Sequence, residues 1–266
     1  MHIQLLKYHQ IVIFPAIFIK EDNQMKYAVI AGALSLFSIT AAANETSLLS
    51  YDYVEAGYAK MDVDDIDELS FDGYVVKLSK QVSDNWYLTG LYASTSDDLF
   101  ESESMDYRDL YQNGDYVGTS TLYTESGLDI EITRLELGLG YIQQLSTVTN
   151  VDYSIKLGRL KFESDNTYLF EERFNGAVFD SYSDGGSDSS SADILSANVE
   201  VKHLLTDQFE VNAGVGYERL HDEESDNNLV LKAGFNYAFT EKAIVGAAYR
   251  NVNEYSDLSV TLRYNF

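Results

Sequence analysis

The sequence predicts an all-β protein: an antiparallel up-and-down barrel of about ten strands, eight being the smaller alternative, that spans a membrane. Three observations carry this. Apolar and polar residues alternate with period two from about Ser50 to Phe266. The connections between alternating segments are short and long in turn. The apolar phase carries aromatic residues at both ends of its segments, as strands do where they meet two membrane interfaces.

Composition narrows the function classes. Among 266 residues there are 18 Lys plus Arg against 43 Asp plus Glu, a net charge of −25. That balance excludes nucleic acid as a partner, because neutralising phosphates takes a basic face. With no cysteine there is no disulfide, thiolate metal site or cysteine nucleophile. A chain that is 45% hydrophobic and 13% aromatic is too apolar to be an acidic disordered one.

The first 43 residues read as addressing. Met25-Lys26 opens a basic start, Ala28 to Ala42 is apolar and small, and Ala41-Ala42-Ala43 offers the small residues a signal peptidase requires. Residues 25–43 are therefore read as a cleaved signal peptide, with the barrel domain over 44–266. A transmembrane helix would need about 20 strongly apolar residues, and Ser35, Ser38 and Thr40 dilute this run. Residues 1–24, with an apolar stretch broken by Pro15, are read as an upstream extension outside the mature protein, or else as part of an extended signal. Without Lys7, Lys20, Lys26, Glu21 and Asp22, 15 basic and 41 acidic residues remain, and no proline. A proline-free chain suits one built of hydrogen-bonded strands.

The strands follow in order. Val54-Ala56-Tyr58 alternates with Glu55 and Gly57; Tyr74-Val76-Leu78 alternates with Val75, Lys77 and Ser79. Trp86 to Tyr92 comes next, then Leu135 to Tyr141 with Arg134, Glu136, Gly138 and Gly140 in the other phase. Tyr153-Ile155-Leu157 alternates with Asp152, Ser154 and Lys156, and Leu195 to Val201 with Ser196, Asn198, Glu200 and Lys202. The last four, Val211–Tyr217, Leu229–Phe239, Val245–Tyr249 and Leu258–Phe266, are the cleanest. Short connections are expected near 83–85, 145–148, 205–208 and 240–242, and long polar loops near 62–71, 97–127, 162–191, 221–227 and 251–257.

A soluble barrel would turn the apolar phase inward. Here the polar phase is rich in glycine and balanced charges, as a narrow interior must be. The apolar phase carries Tyr58, Tyr74, Tyr92, Tyr217 and Tyr249 near the long-loop end, and Trp86, Tyr141, Tyr153, Phe209, Tyr237, Phe239, Tyr264 and Phe266 near the other. Phe209 to Tyr217 spans about 26 Å of strand, or roughly 20 Å along a tilted barrel, close to the height of a lipid-facing band. The apolar phase therefore faces lipid.

The chain ends in Leu262-Arg263-Tyr264-Asn265-Phe266, alternating to a terminal aromatic. This resembles the C-terminal signal, here Tyr264 and Phe266, that the barrel-assembly machinery reads in Gram-negative bacteria. With the leader and the Tyr51–Glu55 start, residues 50–266 resemble the small outer-membrane β-barrel proteins, the opacity-type and OmpA transmembrane-domain barrels. The resemblance implies an outer-membrane location with short periplasmic turns and long acidic extracellular loops. Ten strands depart from the eight common in that group.

Sorted by phase, the lumen is expected to hold Glu55, Glu136, Asp152, Glu200, Glu210 and Glu218 with Lys77, Arg134, Lys156, Lys202, Lys232, Arg250 and Arg263. Balanced inward charges favour ion pairs across the lumen, and ten strands leave little room beyond their side chains. A plugged barrel is the leading expectation and a narrow pore the alternative. The excess acid then lies in the loops: Asp62, Asp64, Asp65, Asp67 and Glu68 in the first, Asp97 to Glu125 in the second, Glu163 to Asp188 in the third. Oxygen clusters of this kind can attract divalent cations, but Asp62-Val63-Asp64-Asp65-Ile66 lacks the spacing and glycine of an EF-hand, and Gly185-Gly186 reads as a flexible loop tip. Lys60, Arg159 and Arg219 continue the outward phase just past the aromatic belt. They are either contacts to lipopolysaccharide phosphates or ordinary strand-end charges.

Catalysis finds little support. After the leader only His203 and His221 remain; His203 falls in the lipid-facing phase, and adjacent His221 and Asp222 point to opposite faces. No cofactor is expected. The expected function is a non-enzymatic outer-membrane barrel, structural or surface-binding, meeting lipid, lipopolysaccharide and cations. A narrow cation-preferring channel is the alternative, and a hydrolase using His221 the third reading.

Overall fold

The computed structural model of the chain describes residues 48–63, 70–222, 225–253 and 255–266. The leader (1–43) and Asp64, Asp65, Asp67 and Glu68 of the first loop lie outside the described residues. Ten strands form one sheet closed on itself: β1 (Tyr53–Val63), β2 (Ser70–Gln81), β3 (Trp86–Gln112), β4 (Asp115–Ser146), β5 (Thr149–Phe174), β6 (Ala177–Thr206), β7 (Phe209–His221), β8 (Ser225–Ala238), β9 (Ala243–Val252) and β10 (Tyr255–Asn265). Each pairs antiparallel with its chain neighbours, and β1 closes on β10 through pairs such as Glu55 with Arg263. The number is ten, not eight.

The phase is the one the alternation predicts. Leu137, Leu157 and Leu262 are more than 60% exposed, whereas Glu55, Glu136 and Glu218 are at most 3% exposed. A chain that turns leucine out and glutamate in has lipid outside. Aromatic rings mark both borders. Trp86 meets Tyr141 with ring centroids 5.1 Å apart, and Phe209 meets Phe235 at 5.9 Å, at the short-turn end. At the other end Tyr58 sits opposite Tyr74 in the register, and Tyr74 lies 5.9 Å from Tyr92. The chain is a ten-stranded transmembrane barrel.

Two of the expected long loops are not loops. Residues 97–127 and 162–191 continue β3–β4 and β5–β6 as paired strands that turn at Asn113-Gly114 and Asn175-Gly176. Both turns have positive φ at both residues: 54° and 93° in the first, 50° and 80° in the second. That is the backbone a two-residue hairpin turn requires, and Asn-Gly is the dipeptide that best supplies it. Gly185-Gly186, expected at a loop tip, instead lies inside β6 opposite Thr167 and Asn166. Pairing of β2 with β3 ends at Ser96, and pairing of β6 with β7 ends at Asp193. Beyond those points β3 to β6 pair only with one another. They make a four-stranded sheet that runs about 50 Å along its strands past the barrel.

Candidate functional site

Two regions carry the polar chemistry: the lumen and the four-stranded extension. The lumen is bounded above and below by apolar side chains. At the long-hairpin end Met61, Phe71, Ile132, Leu160, Ile194, Val230, Val252 and Tyr255 are buried against one another, with Leu99 and Leu220 packed on them. Every one of the ten strands gives this layer a residue. At the short-turn end Tyr51, Tyr87 and Ile142 form a second apolar cluster. Gly140 lies opposite Tyr87 in the register, and a Cβ there would fall within 2.1–2.5 Å of the Tyr87 ring, so the glycine makes the room into which that ring folds.

Between the layers the predicted charges pair in two groups. Glu55 receives Lys77 at 2.8 Å and Arg263 at 2.9 Å, one from each neighbouring strand. Asp152 accepts from Lys202 at 2.7 Å and from the Tyr51 hydroxyl. Further up, Arg134 and Arg250 both bind the fully buried Glu218 carboxylate, the Tyr255 hydroxyl donates to it, and Arg134 also binds Glu136. Lys156 reaches Glu136 at 3.4 Å, and Arg250 reaches Asp257 at 2.6 Å. Glu55, Glu136, Asp152 and Glu218 thereby have compensating donors, which is the condition for keeping them ionised away from water.

Three predicted members stand apart. Glu210 is fully buried and accepts from Asn236 at 2.8 Å, but its other oxygen has no partner. Glu200 and Lys232 make no ion pair among the described residues, although the register sets them on either side of Gly214 of β7. A cavity of about 260 Å³ lies in the lumen, lined by Glu200, Lys232, Lys156, Asn198 and Asn212 among others. Sequence reading missed Asp257, Tyr255, Tyr51 and Tyr87. Asp257 is in phase with Ser259, Thr261 and Arg263, a signal that was present but fell in a stretch read as loop.

On the outer wall, Lys60 pairs with Asp62 at 2.9 Å, Arg159 with Asp193 at 3.2 Å, and Arg219 donates to Ser225 at 2.9 Å. The structure spreads the three over β1, β5 and β7 and does not gather them into one patch. His203 bonds Thr149 and His221 bonds Ser225, each at 2.8 Å. In the C-terminal segment Tyr264 points outward, half exposed, while Arg263 turns inward to Glu55.

The extension is the other charged region. Residues 97–127 and 162–191 hold 15 carboxylates and two arginines. Both guanidinium groups are engaged: Arg108 binds the buried Glu172 through two nitrogens at 2.7 and 2.9 Å, and Arg173 binds Glu171 at 2.7 Å while lying over the Tyr123 ring. Glu101, Glu103, Asp180, Asp184 and Asp188 make no ion pair among the described residues. The Tyr182 hydroxyl and the Gly185 N–H both donate to Asp184 and hold its carboxyl below the usual range. No three His, Asp or Glu side chains converge on a metal position among the described residues.

No family model and no curated protein matches the chain. Among solved structures it is similar to Ail, the attachment invasion locus protein of Yersinia pestis, in complex with the heparin analogue sucrose octasulfate. Identity there is 13% over 81% of this chain and 97% of that one, with a TM-score of 0.34. It is similar to the KdgM porin at 8% identity, covering 80% and 99% of the two chains with a TM-score of 0.37. The outer-membrane protein OprG of Pseudomonas aeruginosa gives 12%, 84%, 99% and 0.36. The membrane-spanning barrel itself rests on this chain's own register, its outward leucines and its two aromatic girdles.

Proposed function

We propose that the protein is a non-conducting outer-membrane barrel that serves as the mount for a binding surface, the four-stranded extension. One observation carries the reading: an apolar cluster to which all ten strands contribute sits at the end of the barrel from which the extension rises. An ion crossing that layer would shed much of its hydration among side chains that are mostly apolar, at a cost of several kcal/mol. In this reading the short turns face the periplasm and the extension the exterior. The aromatic girdles set the barrel in lipid, and Lys60, Arg159 and Arg219 meet lipopolysaccharide phosphates at its rim.

A narrow cation-preferring channel is the competing reading, and the cavity between the layers is the observation that favours it. Single-channel recording of the refolded barrel in planar bilayers separates the two. A silent bilayer, with folding verified by a heat-dependent gel shift, is expected. Reproducible cation-selective steps would sink the proposal and make the lumenal charges a filter.

A further inference from the structure

The inner face of the extension, the face continuous with the barrel lumen, has an order that its edges do not explain. Register across β3, β4, β5 and β6 places Leu99, Leu128, Asn166 and Gly186 in one row; Glu101, Ser126, Tyr168 and Asp184 in the next; and Glu103, Thr124, Phe170 and Tyr182 in the third. Below them Ile132 and Phe162 join the row that meets the apolar layer. The two middle strands therefore carry a line of apolar side chains, Ile132, Phe162, Leu128, Tyr168 and Phe170, interspersed with Ser126, Thr124, Ser164 and Asn166; Tyr168 is 42% and Phe162 36% exposed, and Tyr182 beside them 57%. The outer strands carry unpaired acids on the same face, Glu101 and Glu103 on β3 and Asp180, Asp184 and Asp188 on β6.

Free strand edges need charges to repel other strands, and that accounts for acids on β3 and β6. It does not account for the aromatic rings lined up between the two acidic edges on one face. A second copy of this chain is excluded as the occupant by charge, since it would set one acidic rail against another.

We infer that this face binds a basic amphipathic helix of another protein, with the apolar side of the helix on the Phe162–Tyr168–Phe170 stripe and lysines or arginines on both acidic rails. The dimensions agree. Four strands are about 14 Å across, and a helix with its side chains is about 10–12 Å wide. The stripe is about 26 Å long, the length of about 18 helical residues. Helix side chains flanking the apolar face then fall over β3 on one side and β6 on the other.

This inference rests on the surface-binding reading but fails separately from it. The test uses the full barrel in nanodiscs of zwitterionic lipid, with empty nanodiscs as the control, and two labelled peptides of about 18 residues. One is a lysine–leucine peptide with its leucines on one helical face; the other has equal charge with serine in place of leucine. Fluorescence anisotropy should show the lysine–leucine peptide binding about tenfold or more tighter, and Tyr168→Ser with Tyr182→Ser together should remove that advantage. Phe100→Ser, on the opposite face, should leave it intact, and the gel shift of all variants should be unchanged. Equal affinity for the two peptides, or an advantage that survives the double substitution, overturns the inference: the face would then be a diffuse anionic surface, with the closed barrel still standing. If neither peptide binds, the inference falls; channel activity in the bilayer recording would instead remove the reading beneath it.

Discussion

The lumen and the extension are two halves of the same sheet, yet they handle charge in opposite ways. Inside the barrel, seven acids, counting Asp257, face seven bases, and most of them lie in ion pairs. In the extension 15 acids face two arginines. The cause is solvent. Behind two apolar layers an unpaired charge costs several kcal/mol, so composition is held to neutrality. In water, exposed carboxylates cost little and are free to serve other ends: solubility, edge protection or recognition. A region's charge balance thus records how much water it sees. The place where balance breaks is the place where a partner can act.

The sharpest way to break this comparison is at Glu218, which is almost fully buried and holds Arg134, Arg250 and Tyr255 together. Glu218→Ala removes the carboxylate that Arg134 and Arg250 share, leaving Arg134 with Glu136, Arg250 with Asp257 and one buried positive charge in excess, and should destabilise the barrel by about 3–5 kcal/mol. The readout is the temperature at which the compact gel band is lost. A change below about 1 kcal/mol would mean that lumenal water neutralises those charges and that the interior is no drier than the extension.

A step smaller is the apolar layer itself. Phe71 belongs to it and is 2% exposed, and Phe71→Ala should cost about 3 kcal/mol through the cavity it leaves. The same variant sharpens the argument about conduction. Current in Phe71→Ala and none in the native barrel would identify the layer as the seal. A barrel that stays silent after this change would place the seal in the ion-pair network or the Tyr51–Tyr87–Ile142 cluster below it.

The barrel was legible in the sequence because burial there is enforced on both faces. Lipid sorts one phase and the neutral lumen the other, so each strand from Val54 to Phe266 repeats the same period-two code. Ten strands and their phase follow from that code. Partners do not follow from it, because pairing depends on stagger between strands. Glu200 and Lys232 share a phase and still miss each other across Gly214. The extension escaped for the opposite reason: water on both faces leaves no alternation to read, so 97–127 and 162–191 looked like polar loops. Its one local signal was turn chemistry, the Asn113-Gly114 and Asn175-Gly176 dipeptides, which needs no burial to act. The apolar layer was hidden differently. Its residues lie one per strand in the inward phase, at positions far apart in the chain, and only register brings Met61, Ile132 and Val252 to one level.

The smallest expected effect tests whether the extension is a separate cooperative unit. Glu172 is its one buried carboxylate, accepting from both Arg108 nitrogens and from the Ser120 hydroxyl at 2.6 Å, beside the β-bulge at Tyr107. Glu172→Ala leaves Arg108 half exposed and able to turn to water, so the loss should be about 1–2 kcal/mol and confined to the hairpins. Amide exchange should quicken across 104–124 and 168–182 while the barrel strands and the gel-shift temperature stay as they are. Two units that share strands can behave this way only if the barrel ends energetically at its last ring of pairs, near Ser96 and Asp193. Should the whole barrel melt earlier, strands β3 to β6 would transmit strain along their length. The extension would then be part of what holds the barrel shut, and a partner bound above would be felt in the lumen below.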